Sequence, residues 1–366
     1  MTCLINLLSW NPGYSGFDTY VKRVVPGIDG LRLQLSDNGE PLLIHKNAWF
    51  PQTPPWASSR RIRLLQRYCL VQHGFDLNTF WVEQSMAKDS PDLIYSPFFE
   101  CLLCWPKVPQ LITCHDLTPL VAPTSRRKWM RYRFWQPYHC FTARKIIAIS
   151  LHVADQLLAY GVPSSKVCVI PNGIELHRTP INSPVSEDLL AIARHDVNKN
   201  LPALFRGVAL MQRRWPQWKG QMRIIGRSGR QTPLLYKLLN QLPRPEQVHL
   251  IEEVSQEQLV SLMRSSMALV SSSTEEGFNY PVLEAKAEGL PTLISDIPLH
   301  RELHHDSSLF FPTNDDGSCF SDQLRQLITD QNLWRHLSVQ GVFLAKKMSI
   351  QHQKDSIRDL CAELIG

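Results

Sequence analysis

Residues 267–285 read MALVSSSTEEGFNYPVLEA, and this stretch decides the fold. Met267 to Val270 form a short apolar run, three serines and a glycine follow, and Pro281 opens a segment with helical character through Ala285. The pattern is strand, turn, helix. Pro281 suits the first helical turn, where its missing N–H would have no partner in any case, so the amides of Phe278, Asn279 and Tyr280 stand at or just before a helix N-terminus. Such amides can bind an anion or polar sugar oxygens. Glu276 and Glu284 flank this turn, and ionised carboxylates only accept hydrogen bonds. The first can hold sugar hydroxyls, and the second, a turn into the helix, can hold a vicinal diol such as a ribose. For two isolated glutamates, a capping Glu276 and a solvated Glu284 is the simpler reading.

The same alternation runs in both directions from this stretch. Leu4 to Leu8, Leu31 to Leu35, Leu93 to Tyr95, Leu111 to Cys114, Ile146 to Ile149 and Val167 to Ile170 read as one set of strands. Leu189 to Ala193, Arg223 to Ile225, Val248 to Ile251, Met267 to Val270, Thr292 to Ser295 and Leu309 to Phe311 read as a second. Val153 to Tyr160, Ser255 to Ser265 and Pro281 to Glu288 are the clearest helices between them. Strands alternating with helices imply parallel, doubly wound sheets. A polar, proline-containing linker, Thr179-Pro180-Ile181-Asn182-Ser183-Pro184, separates the sets. The expected architecture is α/β: a first Rossmann-like domain over residues 1–178, a second over 179–347, and a final helical segment over 348–366. Ligands are expected in a cleft outside the carboxyl ends of the strands.

Composition agrees. A chain of 366 residues suits two ordinary domains, and 43% hydrophobic with 20% charged residues excludes a disordered chain. No apolar run approaches the ~20 residues that cross a bilayer. The opening, Met1 to Trp10, has neither a basic leader nor a small-residue cleavage site and reads as a first strand, so a cytoplasmic protein is expected. Nine cysteines, an odd number, suit reduced thiols. Cys101 and Cys104 form a lone CxxC with no second pair or histidines at ligand spacing, and receive no function.

Charge is uneven. Residues 1–175 hold 18 Lys and Arg against 12 Asp and Glu, whereas the remainder holds 21 of each. Much of the surplus lies in Arg126-Arg127-Lys128-Trp129-Met130-Arg131-Tyr132-Arg133-Phe134-Trp135, with a second group at Arg60, Arg61, Arg63 and Arg67 near Trp49 and Trp56. Basic residues interleaved with aromatics suit an anionic membrane surface, where each contributes ~1 kcal/mol. An amphipathic helix that buries its aromatics and solvates its arginines fits equally well. Nucleic acid, which such a pattern also suits, is not among the expected partners.

Several motifs together resemble one family. EGFNYPVLEA at 276–285 resembles the E-x7-E signature of glycosyltransferase family 4, retaining enzymes of the GT-B fold that include mannosyl-, glucosyl- and rhamnosyltransferases. Ala193 to Asn200, ARHDVNKN, resembles its G-R-x-x-x-x-K-N segment. Ile170-Pro171-Asn172-Gly173-Ile174 resembles its I-P-N-G-V element, Thr113-Cys114-His115-Asp116-Leu117 its H-D loop, and Pro12 to Phe17 its first glycine-rich loop. The resemblance is strongest from about residue 111 to 312.

The resemblance implies a GT-B enzyme whose two Rossmann-like domains face a cleft, with a last helix returning to the first domain. It implies a hexose donor of the GDP-mannose or UDP-hexose type and a glycan or lipid-linked acceptor in surface polysaccharide or lipopolysaccharide synthesis. Peripheral attachment to the inner face of the plasma membrane would accompany such an acceptor. Arg194 and Lys199, five apart across a strand-to-helix loop, can both reach one pyrophosphate, Arg bidentately and Lys as a point charge. Glu276 would hold the sugar, Glu284 the ribose and His115 the donor face; Gly16, Gly277, Phe278, Asn279 and Tyr280 would complete the donor site, and Gly13, Tyr14 and Ser15 the acceptor side.

No Asp-x-Asp string occurs, so neither a metal nor any other cofactor is expected. His300 and His304 lack a third ligand and read as surface residues. The chain departs from the family pattern at Ala193 and Glu252, where glycine is usual, at Asn279-Tyr280 for Gly-Leu, and at Ile350 for an aromatic. A sugar-nucleotide 2-epimerase of the same architecture and a non-catalytic nucleotide-sugar or glycan-binding protein remain as alternatives. A starch or glycogen phosphorylase is disfavoured by length and by the absence of a cofactor-lysine segment.

Overall fold

The computed structural model describes residues 3–10, 13, 16–35, 41–44, 91–102, 107–121, 126–176 and 178–366. Tyr14, Ser15, Trp49, Trp56, Arg60, Arg61, Arg63, Arg67 and Cys104 lie outside these residues. The chain divides into two compact units, Met1–Gly173 with Ile350–Gly366, and Ile174–Ser349.

The first unit contains β1 (Cys3–Asn6), α1 (Gly16–Val24), β2 (Leu31–Leu35), β3 (Pro41–Ile44), β4 (Leu93–Ser96), β5 (Gln110–Cys114), α2 (Thr118–Val121), α3 (Arg126–Met130), α4 (Gln136–Thr142), β6 (Lys145–Ala148), α5 (Leu151–Ala159) and β7 (Val167–Val169). Its sheet runs β3-β2-β1-β4-β5-β6-β7. Every pairing is parallel except β2 with β3. The antiparallel β3 is absent from the sequence reading; proline is tolerated at the first residue of an edge strand, and Pro41 holds that place. All residues of β1, β4 and β5 are buried, the continuous apolar pattern of strands covered on both faces.

Helix α13 (Ile350–Ile365) belongs to this first unit. Its Gln353 is buried, accepts from the Gly173 amide at 2.7 Å, and donates to Asn172 Oδ1 at 3.0 Å. A single side chain thereby ties the Pro-Asn-Gly segment to a helix 180 residues away.

The second unit contains β8 (Leu189–Ile192), α6 (Leu201–Arg214), β9 (Met222–Ile225), α7 (Thr232–Leu239), β10 (Val248–Ile251), α8 (Gln256–Ser265), β11 (Ala268–Ser271), α9 (Tyr280–Ala287), β12 (Thr292–Ser295), α10 (Pro298–His304), β13 (Leu309–Phe311), α11 (Ser318–Thr329) and α12 (Gln331–Lys347). The strands order as β10-β9-β8-β11-β12-β13, all parallel. Successive side chains of a strand point to opposite faces. Leu189 and Ala191 pack under Leu204, Val208 and Met211 of α6, while Leu190 joins Val282 and Ala285 of α9 on the other face. Full burial of each such Leu or Val side chain stabilises by ~1.5–3 kcal/mol.

Local signals set the helix ends. Ser255 accepts from the Gln258 amide while the Gln258 side chain accepts from the Ser255 amide, a reciprocal cap that starts α8. Past the end of α9, Gly289 has φ +82°, and a Cβ there would lie 2.5 Å from the Ile181 carbonyl oxygen. Both the handedness and the space call for glycine.

Candidate functional site

In the second unit the chain lays β9 and β10 on one side of β8, then returns to place β11 on the other. The gap between the C-terminal ends of β8 and β11 is thus a topological switch point, where open α/β sheets bind ligands. Lys199 follows β8 and Glu276 follows β11, and the two meet there as an ion pair. Their side chains are 24% and 11% exposed, so the pair is largely withdrawn from solvent. Ser273 Oγ donates to Glu276 Oε1 at 2.6 Å, Ser272 Oγ donates to the Lys199 carbonyl at 2.8 Å, and the Thr274 amide donates to the Asn198 carbonyl at 2.8 Å. The serine run after β11 therefore laces the two strand-end loops together.

Helix α9 leaves this junction directly. Asn279 stands at its N-cap with φ 65° and ψ 63°, a left-handed conformation that asparagine tolerates better than most residues. Phe278 is buried and its ring meets Tyr280 edge-on at 5.0 Å, so only its backbone is available to a ligand. Glu284 lies one turn into α9 and is half-buried, and Gly277 occupies the turn before it.

Arg194 lies on the loop leading from β8 towards Lys199, with 58% of its side chain exposed and Nε 3.5 Å from Asp196. Its neighbour His195 is buried, and its Nδ1 lies 2.9 Å from Thr232 Oγ1. Burial holds this imidazole below the usual histidine range. The segment Gly226-Arg227-Ser228-Gly229-Arg230 packs against it. A Cβ at Gly226 would lie 2.0 Å from the Ala193 carbonyl oxygen, and one at Gly229 would lie 2.6 Å from that of His195. Two glycines bracketing a turn after a strand were the available signal for this loop, which the sequence reading leaves unassigned.

His300 and His304 correct that reading. Both are buried, in α10, because the helix turns them under the strand ends instead of into solvent. His300 Nδ1 lies 2.8 Å from the Ser295 carbonyl and Nε2 2.9 Å from Asn279 Nδ2. Lys286 is also buried, its Nζ donating to the Ser307 carbonyl, Ser307 Oγ and Ser308 Oγ at 2.6, 2.6 and 2.8 Å. Desolvation pushes this lysine well below its ordinary range.

The remaining expected residues belong to the first unit. His115 follows β5 and is buried, with Nε2 2.8 Å from the Pro97 carbonyl and its ring edge-on to Tyr20 at 4.5 Å and Phe17 at 4.8 Å. Desolvation lowers its pKa to about 4, so at neutral pH it is an uncharged donor. Asp116 Oδ1 accepts from the Thr118 amide at 3.1 Å and caps the following turn. Gly13 has φ +80°, and a Cβ at Gly16, the first residue of α1, would meet nothing within 4 Å.

The basic aromatic segment forms α3 and α4 joined by a π-helical turn, Arg131–Trp135. Such a turn rotates the side chains that follow it. Trp129 and Phe134 of this segment are exposed, as are Met130 and the following Tyr138 and Phe141, the last by 84%, whereas Tyr132 and Trp135 are half-buried, so the segment splits its aromatics between solvent and the protein. Arg126, Arg127 and Arg133 are exposed beside them. Arg131 instead pairs with Glu100, a buried carboxylate that also accepts from Ser9 Oγ at 2.7 Å. Cys101 is buried, and desolvation raises its thiol far above the reactive range. Among the described residues no group of three His, Cys, Asp or Glu is placed to hold a metal ion, and no helix is long and apolar enough to cross a membrane.

Residues 39–178 match the profile "Glycosyltransferase Family 4", and residues 177–341 match "Glycosyl transferases group 1". The O-antigen chain mannosyltransferase RfbU of Salmonella typhimurium is 26% identical over 210 residues, 57% of this chain and 58% of that protein. The GDP-mannose:cellobiosyl-diphosphopolyprenol alpha-mannosyltransferase of Xanthomonas campestris is 29% identical over 197 residues, 52% of this chain and 50% of that protein. The chain thus matches 58% and 50% of the length of these two relatives. Among solved structures, sucrose-phosphate synthase from Thermosynechococcus elongatus superposes with a TM-score of 0.75 at 18% identity, covering 100% of this chain and 99% of that one. Anabaena HepE, solved with UDP and glucose, gives 0.72 at 14% identity, covering 99% and 100%. These establish the GT-B fold.

Proposed function

Since the chain belongs to the family 4, group 1 glycosyltransferases, we propose that it moves a hexose from a nucleoside diphosphate sugar to a hydroxyl with retention at the anomeric carbon. The observation that carries this reading is the Lys199–Glu276 pair at the β8/β11 switch point, beside the N-terminus of α9. Such a place offers a cation, a hydrogen-bond acceptor and helix-end amides to one small polar ligand. The curated relatives favour a mannose donor: the Xanthomonas protein is named for GDP-mannose, and the Salmonella protein is a mannosyltransferase.

In the reaction we assign, the bond between the anomeric carbon and the diphosphate oxygen breaks with its electron pair going to the phosphate. Charge rises on that leaving group, and Lys199 and Arg194 stabilise it more in the transition state than in the ground state. The acceptor hydroxyl adds to the anomeric carbon on the face the phosphate leaves, and its proton passes to a phosphate oxygen. Glu276 holds the sugar and Glu284 the ribose. His115, neutral and oriented by the proton that its Nε2 gives to the Pro97 carbonyl, holds the donor face without transferring a proton.

The acceptor we assign is a lipid-linked glycan, brought to the protein at an anionic membrane. Exposed Trp129, Phe134, Tyr138 and Phe141 beside Arg126, Arg127 and Arg133 have the chemistry to enter a headgroup layer. The deciding experiment measures transfer and nucleotide release from GDP-mannose, UDP-glucose and UDP-galactose, with and without a polyprenyl-diphosphate glycan. Anomeric NMR coupling of the product reads the stereochemistry. Altered sugar released without an acceptor, or an inverted linkage, would overturn the assignment.

A further inference from the structure

The left-handed backbone at Asn279 is held by its side chain. A non-glycine residue in this conformation costs of order a kcal/mol, so something must secure it, and Asn279 Nδ2 donates to Ser271 Oγ at 3.0 Å and to His300 Nε2 at 2.9 Å. On the other side of the imidazole, Nδ1 lies 2.8 Å from the Ser295 carbonyl. A carbonyl only accepts, so the ring proton sits on Nδ1 and Nε2 presents the lone pair that the asparagine needs. Ser295 Oγ donates to the Ser273 carbonyl at 2.5 Å, and Ser273 Oγ donates to Glu276 Oε1 at 2.6 Å. One buried imidazole thus braces the start of α9 directly, and Glu276 through two serines.

We infer that His300 is a positioning residue of the donor site, fixing Asn279, and with it the amides at the head of α9, for the diphosphate sugar. The inference rests on the donor reading of this site. It also accounts for a departure from the family pattern, because asparagine in place of glycine brings a side chain that a second residue must hold.

The arrangement requires a neutral ring. His300 faces Glu276 from the loop before α9, Lys199 from the loop after β8, Lys286 from α9, and His304 on its own helix at a ring separation of 6.2 Å. Desolvation outweighs Glu276, the two lysines add to it, and the imidazole titrates below its ordinary range. A proton on Nε2 would confront the Asn279 amide nitrogen, and the amide would have to turn over and remake its contact with Ser271.

The test uses the full chain with GDP-mannose as donor probe, and UDP-glucose if that is the donor it accepts. His300→Leu removes the acceptor and raises the donor KM about tenfold, the cost of one buried donor left without its partner, while the acceptor KM is unchanged. His300→Gln retains an acceptor that does not titrate; its donor KM at pH 7.5 stays near wild type and loses the rise towards acid pH that wild type shows. In an Asn279→Gly background, where no side chain needs holding, His300→Leu has little further effect. A purely structural histidine would lower stability equally in both backgrounds and leave the pH profile untouched. The inference is overturned alone if His300→Leu keeps a donor KM within twofold while Lys199→Met and Glu276→Ala each lower turnover by about a hundredfold or more. If those two variants also turn over normally, the donor reading itself fails and the inference goes with it.

Discussion

Replacing Lys199 by methionine separates the chemistry of the site from its packing. The substitution keeps the aliphatic stem and removes only the charge. The partner carboxylate, Glu276, is 11% exposed and would retain the Ser273 hydroxyl as donor, so the cost is that of a carboxylate losing one charged partner while keeping one hydrogen bond. That places destabilisation at about 1–3 kcal/mol. For a unit of this size, thermal unfolding should fall by about 2–4 °C for each kcal/mol. Turnover should fall much further, about 10²–10³-fold, because a cation aimed at the leaving phosphate acts mainly in the transition state. Release of nucleoside diphosphate from the donor measures the second quantity and differential scanning calorimetry the first. The double variant Lys199→Met with Glu276→Ala removes the unpaired carboxylate and should recover much of the lost stability without recovering turnover. Recovery of both together, or turnover of the single variant within threefold of wild type, would refute the assignment of Lys199 to the diphosphate.

Gly207→Ala should destabilise by about 1–3 kcal/mol, although alanine normally gains about 1 kcal/mol in a helix, because its Cβ would lie 2.3 Å from the buried Phe320 ring; chemical denaturation checks the sign. His115 has a folded pKa near 4 against about 6.5 unfolded, so the unfolded chain binds the extra proton between these values. Its contribution is complete above pH 6.5 and is lost as pH falls towards 4, at about 1.4 kcal/mol per unit; His115→Gln should flatten the unfolding-against-pH curve by one proton in that window. Binding to phosphatidylglycerol vesicles should fall at least tenfold in Arg126→Glu with Arg127→Glu, and again in Phe141→Ser, by co-sedimentation. Arg131→Glu is a poor test of the same surface, because Arg131 holds the buried Glu100, and it should lower stability irrespective of lipid.

Periodicity located the strands well because all pairings but one are parallel and the central strands are buried on both faces, so those strands are written as apolar runs that local sequence cannot disguise. Strand β3 escaped because it is a short antiparallel edge strand headed by proline. The loops after β8 and β11 were legible as chemistry, but their mutual pairing was not: Lys199 and Glu276 are 77 residues apart and meet only through sheet order. His300 and His304 were misread for a related reason. Histidine is polar in any local count, and its burial here depends on Asn279 and Ser295, partners supplied by other elements. The π-helical turn at Arg131–Trp135 leaves no local compositional mark, so a plain helical period does not describe which of its aromatics are exposed.

The strand order of the second unit also sets when the site can exist. Strands β8 and β11 are neighbours although β9 and β10, which lie along the opposite edge, come between them in the chain, so the Lys199–Glu276 contact closes a loop of long sequence separation. Non-local closures of this kind come late in folding because their entropy must be met before they stabilise anything. On the proposed donor reading, nucleotide capture reports a finished sheet: a chain stalled before β11 docks lacks the Glu276 half of the grip, and a ligand that binds only the completed form draws the folding equilibrium towards it.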